Sequence, residues 1–150
     1  MTEDLAALIA GGQVRQVGTF NGNPLVMAAA EATLLEVLTD EAYAALERKS
    51  ERLLAGLDDV IARYGLPCHT IGLAAKGCVV FSPDRLYEYR DYATKVDAEL
   101  SELSWLYHAN HGIFMTPGVD EQWTLSVEHD EADLQRYVDA FAAFAADVTA

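Results

Sequence analysis

Apolar residues recur at helical spacing over a long central stretch of the chain. Between residues 40 and 64 they occupy every third or fourth position, and only the polar pair Lys49-Ser50 interrupts the pattern. Gly65 and Pro67 follow in the order that typically ends a helix. The apolar face predicted for this helix consists of Tyr43, Leu46, Leu53, Leu57, Val60, Ile61 and Tyr64.

Two further helices are predicted near the ends of the chain. Residues 3–10 form a short candidate helix that two consecutive glycines close. Asp130 is the expected N-cap of the last helix, whose first turn is acidic, as the helix dipole favours. The buried stripe predicted on this last helix consists of Leu134, Val138, Phe141 and Ala145.

The stretch from Leu25 to Leu38 is apolar on nearly all sides. Asn23 is a good N-cap residue, and Pro24 suits the first helical position because its φ is fixed and it has no N–H to satisfy. Helices that are apolar all round are usually buried on every side. A small domain offers little cover for such a helix, so we expect it to pack against a partner.

The remaining segments favour short strands. Residues 68–82 predict two strands about a turn near residues 74–77, and residues 113–115 and 123–127 predict two more about Pro117-Gly118. A helix lies between the two strand pairs, with Thr94 as its expected cap and Asp97 at N3. The predicted fold class is α/β, in the form of an α+β two-layer sandwich with a small, mostly antiparallel sheet.

The composition narrows the class of partner. The chain has 150 residues, 51% of them hydrophobic, and a formal net charge of −14. Nucleic acid and anionic membranes are disfavoured as partners because both require a basic face. The chain has no apolar run long enough to cross a bilayer and no signal peptide at its start, so a cytoplasmic location is expected. Cys68 and Cys78 match no zinc or redox motif and are expected to be free thiols.

Residues 18–24, with the sequence GTFNGNP, carry the most chemical information. Two glycines allow close approach of the backbone, and the segment opens onto a helix N-terminus, where free amides and the helix dipole favour an anion such as phosphate. The spacing is that of neither a P-loop nor a dinucleotide-binding loop. From these residues alone, a phosphate site and a simple turn both stay open.

The longer segment GTFNGNPLVMAAAEATLLEVL resembles the last third of class III aminotransferases, particularly those similar to glutamate-1-semialdehyde aminomutase. The later segments HANHGIFMTPG and EQWTLSVEHDEADLQRYVDAF resemble the same family in register, so the resemblance covers nearly the whole chain. It implies the C-terminal portion of a fold type I enzyme that depends on pyridoxal 5'-phosphate. Residues 1–38 would be the tail of the large domain, and residues 39–150 the C-terminal small domain.

The resemblance also implies roles for two residues. In the family this loop lies at the dimer interface and reaches the cofactor phosphate held by the other subunit. Gly18 would offer its backbone N–H, and Thr19 its N–H and hydroxyl. The implied partners are a second subunit or a complementary N-terminal chain, together with a small amino-acid or amine substrate.

The family's catalytic lysine, the aspartate that pairs with the pyridine nitrogen and the aromatic residue on the cofactor ring all precede the GTFxGNP segment. The chain begins only 17 residues before Gly18, so we expect another polypeptide segment to supply them. Lys49, Lys76 and Lys95 are predicted to lie on helices or in a strand turn. Alone, the chain is expected to be inactive.

Other candidates come from the residues without support from the family motif. The segment from Asp84 to Tyr92 is rich in tyrosine and arginine, which suits an interface, a substrate entrance or a packed loop. Arg90 and Arg15 are candidate ligands for a substrate carboxylate. His108 and His111 are the only histidine pair at helical spacing, and no carboxylate stands beside them, so a metal site is not expected. A noncatalytic dimerisation or binding module, and an unrelated phosphate-binding domain, are the alternative functions.

Overall fold

The computed structural model describes residues 2–15, 17–117 and 123–150. The chain divides into two compact units, Met1–Thr39 and Asp40–Ala150, which are called here the N-terminal and C-terminal units. Each is described separately below.

The N-terminal unit contains two helices and a π-helical turn. Helix α1 spans Glu3–Ala10, with Thr2 as N-cap, and helix α2 spans Pro24–Ala32. Both agree with the predictions, but the π-helical turn Thr33–Val37 replaces the last part of the expected longer helix. In this turn the Leu38 N–H donates to the Thr33 carbonyl over 2.9 Å. The described residues before the GTFNGNP loop form no strand.

The C-terminal unit begins with the long predicted helix. Helix α3 spans Asp40–Tyr64 and buries Leu46, Leu53, Leu57 and Val60, as its spacing predicts. Tyr43 was predicted on the same face, but it is exposed. Strands β1 (His69–Leu73) and β2 (Lys76–Val80) then pair antiparallel, with His69 opposite Val80. The turn between them consists of Ala74 and Ala75, so it is tighter than predicted.

Helices α4 (Tyr89–Lys95) and α5 (Ala98–Asn110) follow β2. The predicted cap at Thr94 was wrong: Thr94 lies inside α4, where its hydroxyl donates to the Arg90 carbonyl over 2.7 Å. Asp97 is the actual N-cap of α5, and its Oδ1 accepts the Leu100 N–H at 2.9 Å. The Asp97 N–H donates to the Phe81 carbonyl, so the chain leaving β2 also fixes where α5 begins.

The second predicted pair of strands is largely absent from the described residues. Residues 113–117 form no strand, and Gly118 lies outside the described residues. Strand β3 is only Trp123–Thr124, which pairs antiparallel with β2 through Gly77 and Trp123. The sheet order is therefore β1-β2-β3.

Helix α6 (Glu131–Val148) completes the core. Asp130 caps it through a reciprocal pair of hydrogen bonds with Asp133, which confirms the predicted N-cap. Helix α6 packs against α3 and α5, and α3 packs on β1. The predicted stripe is correct for Leu134, Phe141 and Ala145 and half-buried at Val138, whereas the buried Tyr137 and Phe144 were not predicted.

The C-terminal unit therefore has the predicted fold class, a small α/β arrangement with helices on an antiparallel three-stranded sheet. Its core is a single cluster centred on side chains that are almost fully buried: Leu53, Leu57, Phe81, Phe141 and Phe144. Among the described residues, no helix is both long enough and apolar enough to cross a membrane.

Candidate functional site

Residues 18–23 form two successive turns. The Asn21 N–H donates to the Gly18 carbonyl and the Asn23 N–H to the Phe20 carbonyl, each over 3.1 Å. Gly22 has a φ of +73°, which favours glycine because a side chain would strain this conformation. A Cβ atom on Gly18 would lie 2.5 Å from Asn21 Oδ1. The backbone conformation of the loop therefore favours glycine at position 22, and Gly18 lies close to the Asn21 side chain.

The amides at the start of α2 are already engaged. Asn23 Oδ1 accepts the Leu25 N–H at 3.0 Å and the Val26 N–H at 3.3 Å. Pro24 has no N–H, and the Met27 N–H donates within the chain to the Asn23 carbonyl. The expectation of free amides at this helix N-terminus is therefore wrong for these positions. Any grip on an anion has to come from the turn before the helix.

Thr19 lies at the exposed surface of this turn. Within the described part of the chain, neither its N–H nor its hydroxyl has a hydrogen-bond partner. Two donors on one exposed residue, beside a glycine that brings the backbone close, fit the oxygens of a phosphate group. The turn is therefore compatible with the phosphate of pyridoxal phosphate.

Arg15 and Arg90 are both exposed, and they lie in different units. Arg90, on α4, places its Nε 3.9 Å from Glu88 Oε1, and both side chains are largely exposed. Exposed pairs of this kind contribute little to stability, so the guanidinium of Arg90 stays accessible. As ligands for a substrate carboxylate, Arg15 and Arg90 stay predictions.

The segment rich in tyrosine and arginine is ordered by local contacts. The Tyr89 and Tyr92 rings stack with their centroids 6.0 Å apart. Asp91 pairs with Lys95 over 2.9 Å and accepts the Tyr87 N–H, and the hydrogen bond from Lys95 lowers the pKa of Asp91. Tyr87 and Tyr89 are exposed. The segment therefore presents exposed tyrosine rings that local contacts hold in place.

A cavity of about 590 Å³ opens in the C-terminal unit between residues 112–117, residues 123–125 and the first turns of α6. Its lining includes the buried side chains Met115, Trp123, Leu125 and Leu134. Its polar lining includes Thr116, Thr124, His129, Asp133, Arg136 and Tyr137. This cavity was not predicted from the sequence, because its described walls come from α3, residues 112–117 and α6, which are far apart along the chain.

His129 is held in one orientation at this cavity. Its Nδ1 accepts the Ser126 N–H at 3.0 Å and lies 2.9 Å from the Ser126 hydroxyl. Lys49 Nζ donates to the Val127 carbonyl over 2.9 Å and so ties the same turn to α3. The spacing of Ser126 and His129, just before the Asp130 cap, is the sequence feature that could have identified the turn.

The predicted pair His108 and His111, at the C-terminal end of α5, is engaged in local contacts. His108 is fully buried, its Nδ1 lies 2.7 Å from the Ser104 carbonyl, and burial lowers its pKa. The His111 ring stacks on Tyr107 with a centroid distance of 4.1 Å. Among the described residues, no group of three or more histidine, cysteine or acidic side chains could hold a metal ion.

Cys68 and Cys78 are both thiols and form no disulfide with each other. Burial, with a smaller contribution from the charge of Asp58, raises the pKa of Cys68 to about 12, so its thiol is not a ready nucleophile.

The three lysines of the chain lie in regular elements, and two of them form polar contacts. Lys49 is bound to the Val127 carbonyl, Lys95 is paired with Asp91, and Lys76 begins β2. All three belong to the C-terminal unit, whereas Gly18 and Thr19 belong to the N-terminal unit.

Curated relatives of this chain are glutamate-1-semialdehyde 2,1-aminomutases. The protein from Syntrophobacter fumaroxidans is 32% identical over 129 residues, which are 86% of this chain and 30% of that protein. The protein from Macrococcus caseolyticus is 36% identical over 130 residues, which are 87% of this chain and 30% of that protein. The chain thus spans about 30% of the length of these relatives. It matches no profile of a known sequence family.

The solved structures that resemble this chain are also aminotransferases and aminomutases. A β-phenylalanine aminotransferase from Variovorax paradoxus is similar with a TM-score of 0.82 at 29% identity, over 97% of this chain and 34% of that one. A glutamate-1-semialdehyde aminomutase from Pseudomonas aeruginosa, solved in complex with PMP, has a TM-score of 0.77 at 20% identity. That likeness covers 89% of this chain and 30% of the other, and it shows a shared fold.

Proposed function

From the relation of this chain to the C-terminal portion of the pyridoxal-phosphate-dependent class III aminotransferases of the glutamate-1-semialdehyde aminomutase type, we propose that it completes such an enzyme. In this proposal Gly18 and Thr19 hold the cofactor phosphate, and most of the cofactor site belongs to another polypeptide segment. The observation that carries the proposal is the exposed Thr19, whose amide and hydroxyl have no partner within the described residues.

The chain's own contribution is to bind and orient. The Thr19 N–H and hydroxyl and the Gly18 N–H would donate to phosphate oxygens, and hydrogen bonds to a charged acceptor are roughly twice as strong as neutral ones. Bound pyridoxal phosphate supplies the electron sink for amino-group transfer. Residues 1–38 would serve as the tail of the large domain and residues 39–150 as the small domain, with the tyrosine-rich segment and Arg90 or Arg15 available to a substrate carboxylate.

The exposed apolar surface of the N-terminal unit supports the inference that a partner polypeptide binds there. Leu25 is 79% exposed, Phe20 is 74% exposed, and α2 buries no residue. Contiguous exposed apolar surface of this kind typically marks an interface. The relatives are about three times longer than the chain, so we infer that the partner is the preceding part of such an enzyme, from the same subunit or a second one.

The test combines the chain with a polypeptide that carries the first two thirds of a related aminomutase. Titration with pyridoxal phosphate, followed by visible absorbance, measures the affinity of the mixture for the cofactor. Replacing Thr19 with alanine removes one hydroxyl donor to a charged acceptor, worth about 1.5–3 kcal/mol, so the dissociation constant should rise about tenfold or more. Thr19→Ser retains the hydroxyl and should restore most of the affinity.

Equal cofactor affinities for wild type, Thr19→Ala and Thr19→Ser in a folded, associated mixture would contradict the phosphate role. Failure of the two polypeptides to associate would contradict the assignment of the partner.

A noncatalytic binding module is the second candidate. It is favoured by the positions of Lys49 and Lys95, which are both engaged within the C-terminal unit. This alternative predicts a defined complex whose formation does not depend on pyridoxal phosphate and is unchanged by Thr19→Ala. Analytical ultracentrifugation with and without cofactor separates the two candidates.

A further inference from the structure

The cavity in the C-terminal unit is not used by the proposed function, yet it has the features of a small-molecule site. Its volume of about 590 Å³ lies within the range of about 300–1,000 Å³ that is usual for ligand pockets. Met115, Trp123 and Leu125 line it with buried apolar surface. A lining of this kind suits an aromatic ring or a branched aliphatic group.

His129 belongs to the lining of this cavity, and its ring is held by a hydrogen bond to Nδ1. Because Nδ1 accepts the Ser126 N–H, the neutral imidazole carries its proton on Nε2. The bond from Lys49 to the Val127 carbonyl restrains the turn from the side of α3. The ion pair of Arg52 with Glu131, at 2.6 Å, links α3 to the start of α6 close by. The Nε2–H of this restrained ring is therefore available to donate a hydrogen bond to a ligand.

Arg136 adds a positive charge to the same lining. Its Nη1 is 3.5 Å from Asp133 Oδ1, and this is a long contact that engages one of the five N–H donors of a guanidinium. The other oxygen of Asp133, Oδ2, accepts the Asp130 N–H at 3.1 Å as part of the helix cap. Asp133 is thus committed to the start of α6, and most of the Arg136 donors stay available.

The balance of these groups selects a ligand class. Donors from His129 and Arg136 require an acceptor, and an apolar lining requires an apolar body. The Asp133 carboxylate in the lining, within a chain of net charge −14, disfavours a ligand with a second negative charge. We propose that the cavity binds a small monocarboxylate with an aromatic or branched apolar body, whose carboxylate is held by His129 and Arg136.

The test uses the full chain alone, with phenylacetate as the probe and 2-phenylethanol as its uncharged counterpart. Titrations are followed by isothermal calorimetry and by chemical-shift changes in the spectrum of the ¹⁵N-labelled chain. Saturable binding of phenylacetate, at least tenfold tighter than binding of 2-phenylethanol, is expected. The shifts should centre on residues 123–137.

Two variants identify the donors. Arg136→Met removes the charge from an exposed side chain and should weaken phenylacetate binding at least tenfold. His129→Asn keeps an acceptor for the Ser126 N–H and removes the Nε2–H donor, so it should weaken binding several-fold while thermal unfolding stays unchanged. The control is Arg48→Met, which removes an exposed arginine from α3 outside the cavity lining and should bind as wild type does.

Three results would overturn the proposal: no saturable binding of phenylacetate, equal binding of 2-phenylethanol, or equal losses in Arg136→Met and Arg48→Met. The experiment contains neither pyridoxal phosphate nor a partner chain. Its failure therefore leaves the proposed function standing, and failure of the Thr19 experiment leaves this site standing.

Discussion

His108 shows how strongly a single buried residue can couple this fold to pH. Its ring lies among Tyr137, Phe141 and Phe144, with centroid distances of 5.2, 6.0 and 5.9 Å. Among the described residues, its Nε2 has no hydrogen-bond partner. Burial disfavours the charged form and lowers the pKa of His108 from its usual 6.5. The residue is therefore neutral in the folded chain at neutral pH.

The lowered pKa predicts a loss of stability in mild acid. Below pH 6.5 the unfolded chain binds a proton at His108 before the folded chain does, so the free energy of unfolding falls as the pH falls. The contribution of one such group cannot exceed about 1.4 kcal/mol per pH unit. In His108→Asn, which retains a donor for the Ser104 carbonyl, urea unfolding at pH 7.5, 6.5 and 5.5 should show a shallower decline. An identical decline in both proteins would refute this role for His108.

At the scale of the elements, the three-stranded sheet depends on a close contact between β2 and β3. A Cβ atom on Gly77 would lie 2.3 Å from Trp123 Cζ2 and 2.8 Å from the Ile71 carbonyl. Trp123 is buried and pairs with Gly77 in the ladder. Only glycine therefore allows the indole ring to lie over this point of β2.

Two glycines that face each other across β1 and β2 provide a matched comparison. Gly77→Ala forces the rigid indole ring and the backbone apart and should destabilise the C-terminal unit by about 1–3 kcal/mol. Gly72→Ala, at the partner position, places its Cβ against the flexible end of the Leu54 side chain and should cost less. Thermal and urea unfolding of the two variants test this order, and a larger loss for Gly72→Ala would contradict the packing argument.

At the scale of the whole molecule, the two units differ in how far their apolar residues are buried. The C-terminal unit encloses a core between α3, α6 and the sheet. The N-terminal unit leaves Leu25 and Leu35, on α2 and the π-helical turn, more than two-thirds exposed. The C-terminal unit therefore has an apolar interior of its own, whereas the N-terminal unit exposes large apolar side chains to solvent.

This difference predicts which leucines govern assembly. The double variant Leu25→Gln/Leu35→Gln should weaken association with the first two thirds of a related aminomutase at least tenfold, because burial of each leucine is worth about 1.5–3 kcal/mol. Its own folding should be unaffected. Leu73→Gln, an equally exposed leucine of β1, is the control. Association constants from calorimetry test the prediction, and equal weakening by the control would exclude a specific role for α2.

Local chemistry in the sequence was sufficient to predict most of the helices and the family. Capping by Asn23 and Asp130, the periodic apolar residues of α3 and α6, and the GTFNGNP segment act over a few residues, so each can be interpreted without knowledge of its neighbours. The misplaced cap of α5 shows the limit of this approach. Thr94 and Asp97 are both good caps, and a hydrogen bond from Asp97 to the distant Phe81 carbonyl decided between them.

The sequence by itself determined where α1, α2, α3 and α6 begin, most of the apolar positions on α3 and α6, and to which enzymes the chain is related. The tertiary structure alone decided that His108 is enclosed by aromatic rings and that His129 and Arg136 line one cavity. The physical reason is distance along the chain. Lys49 reaches the Val127 carbonyl from 78 residues away, and such contacts arise only when α3, the sheet and α6 pack together.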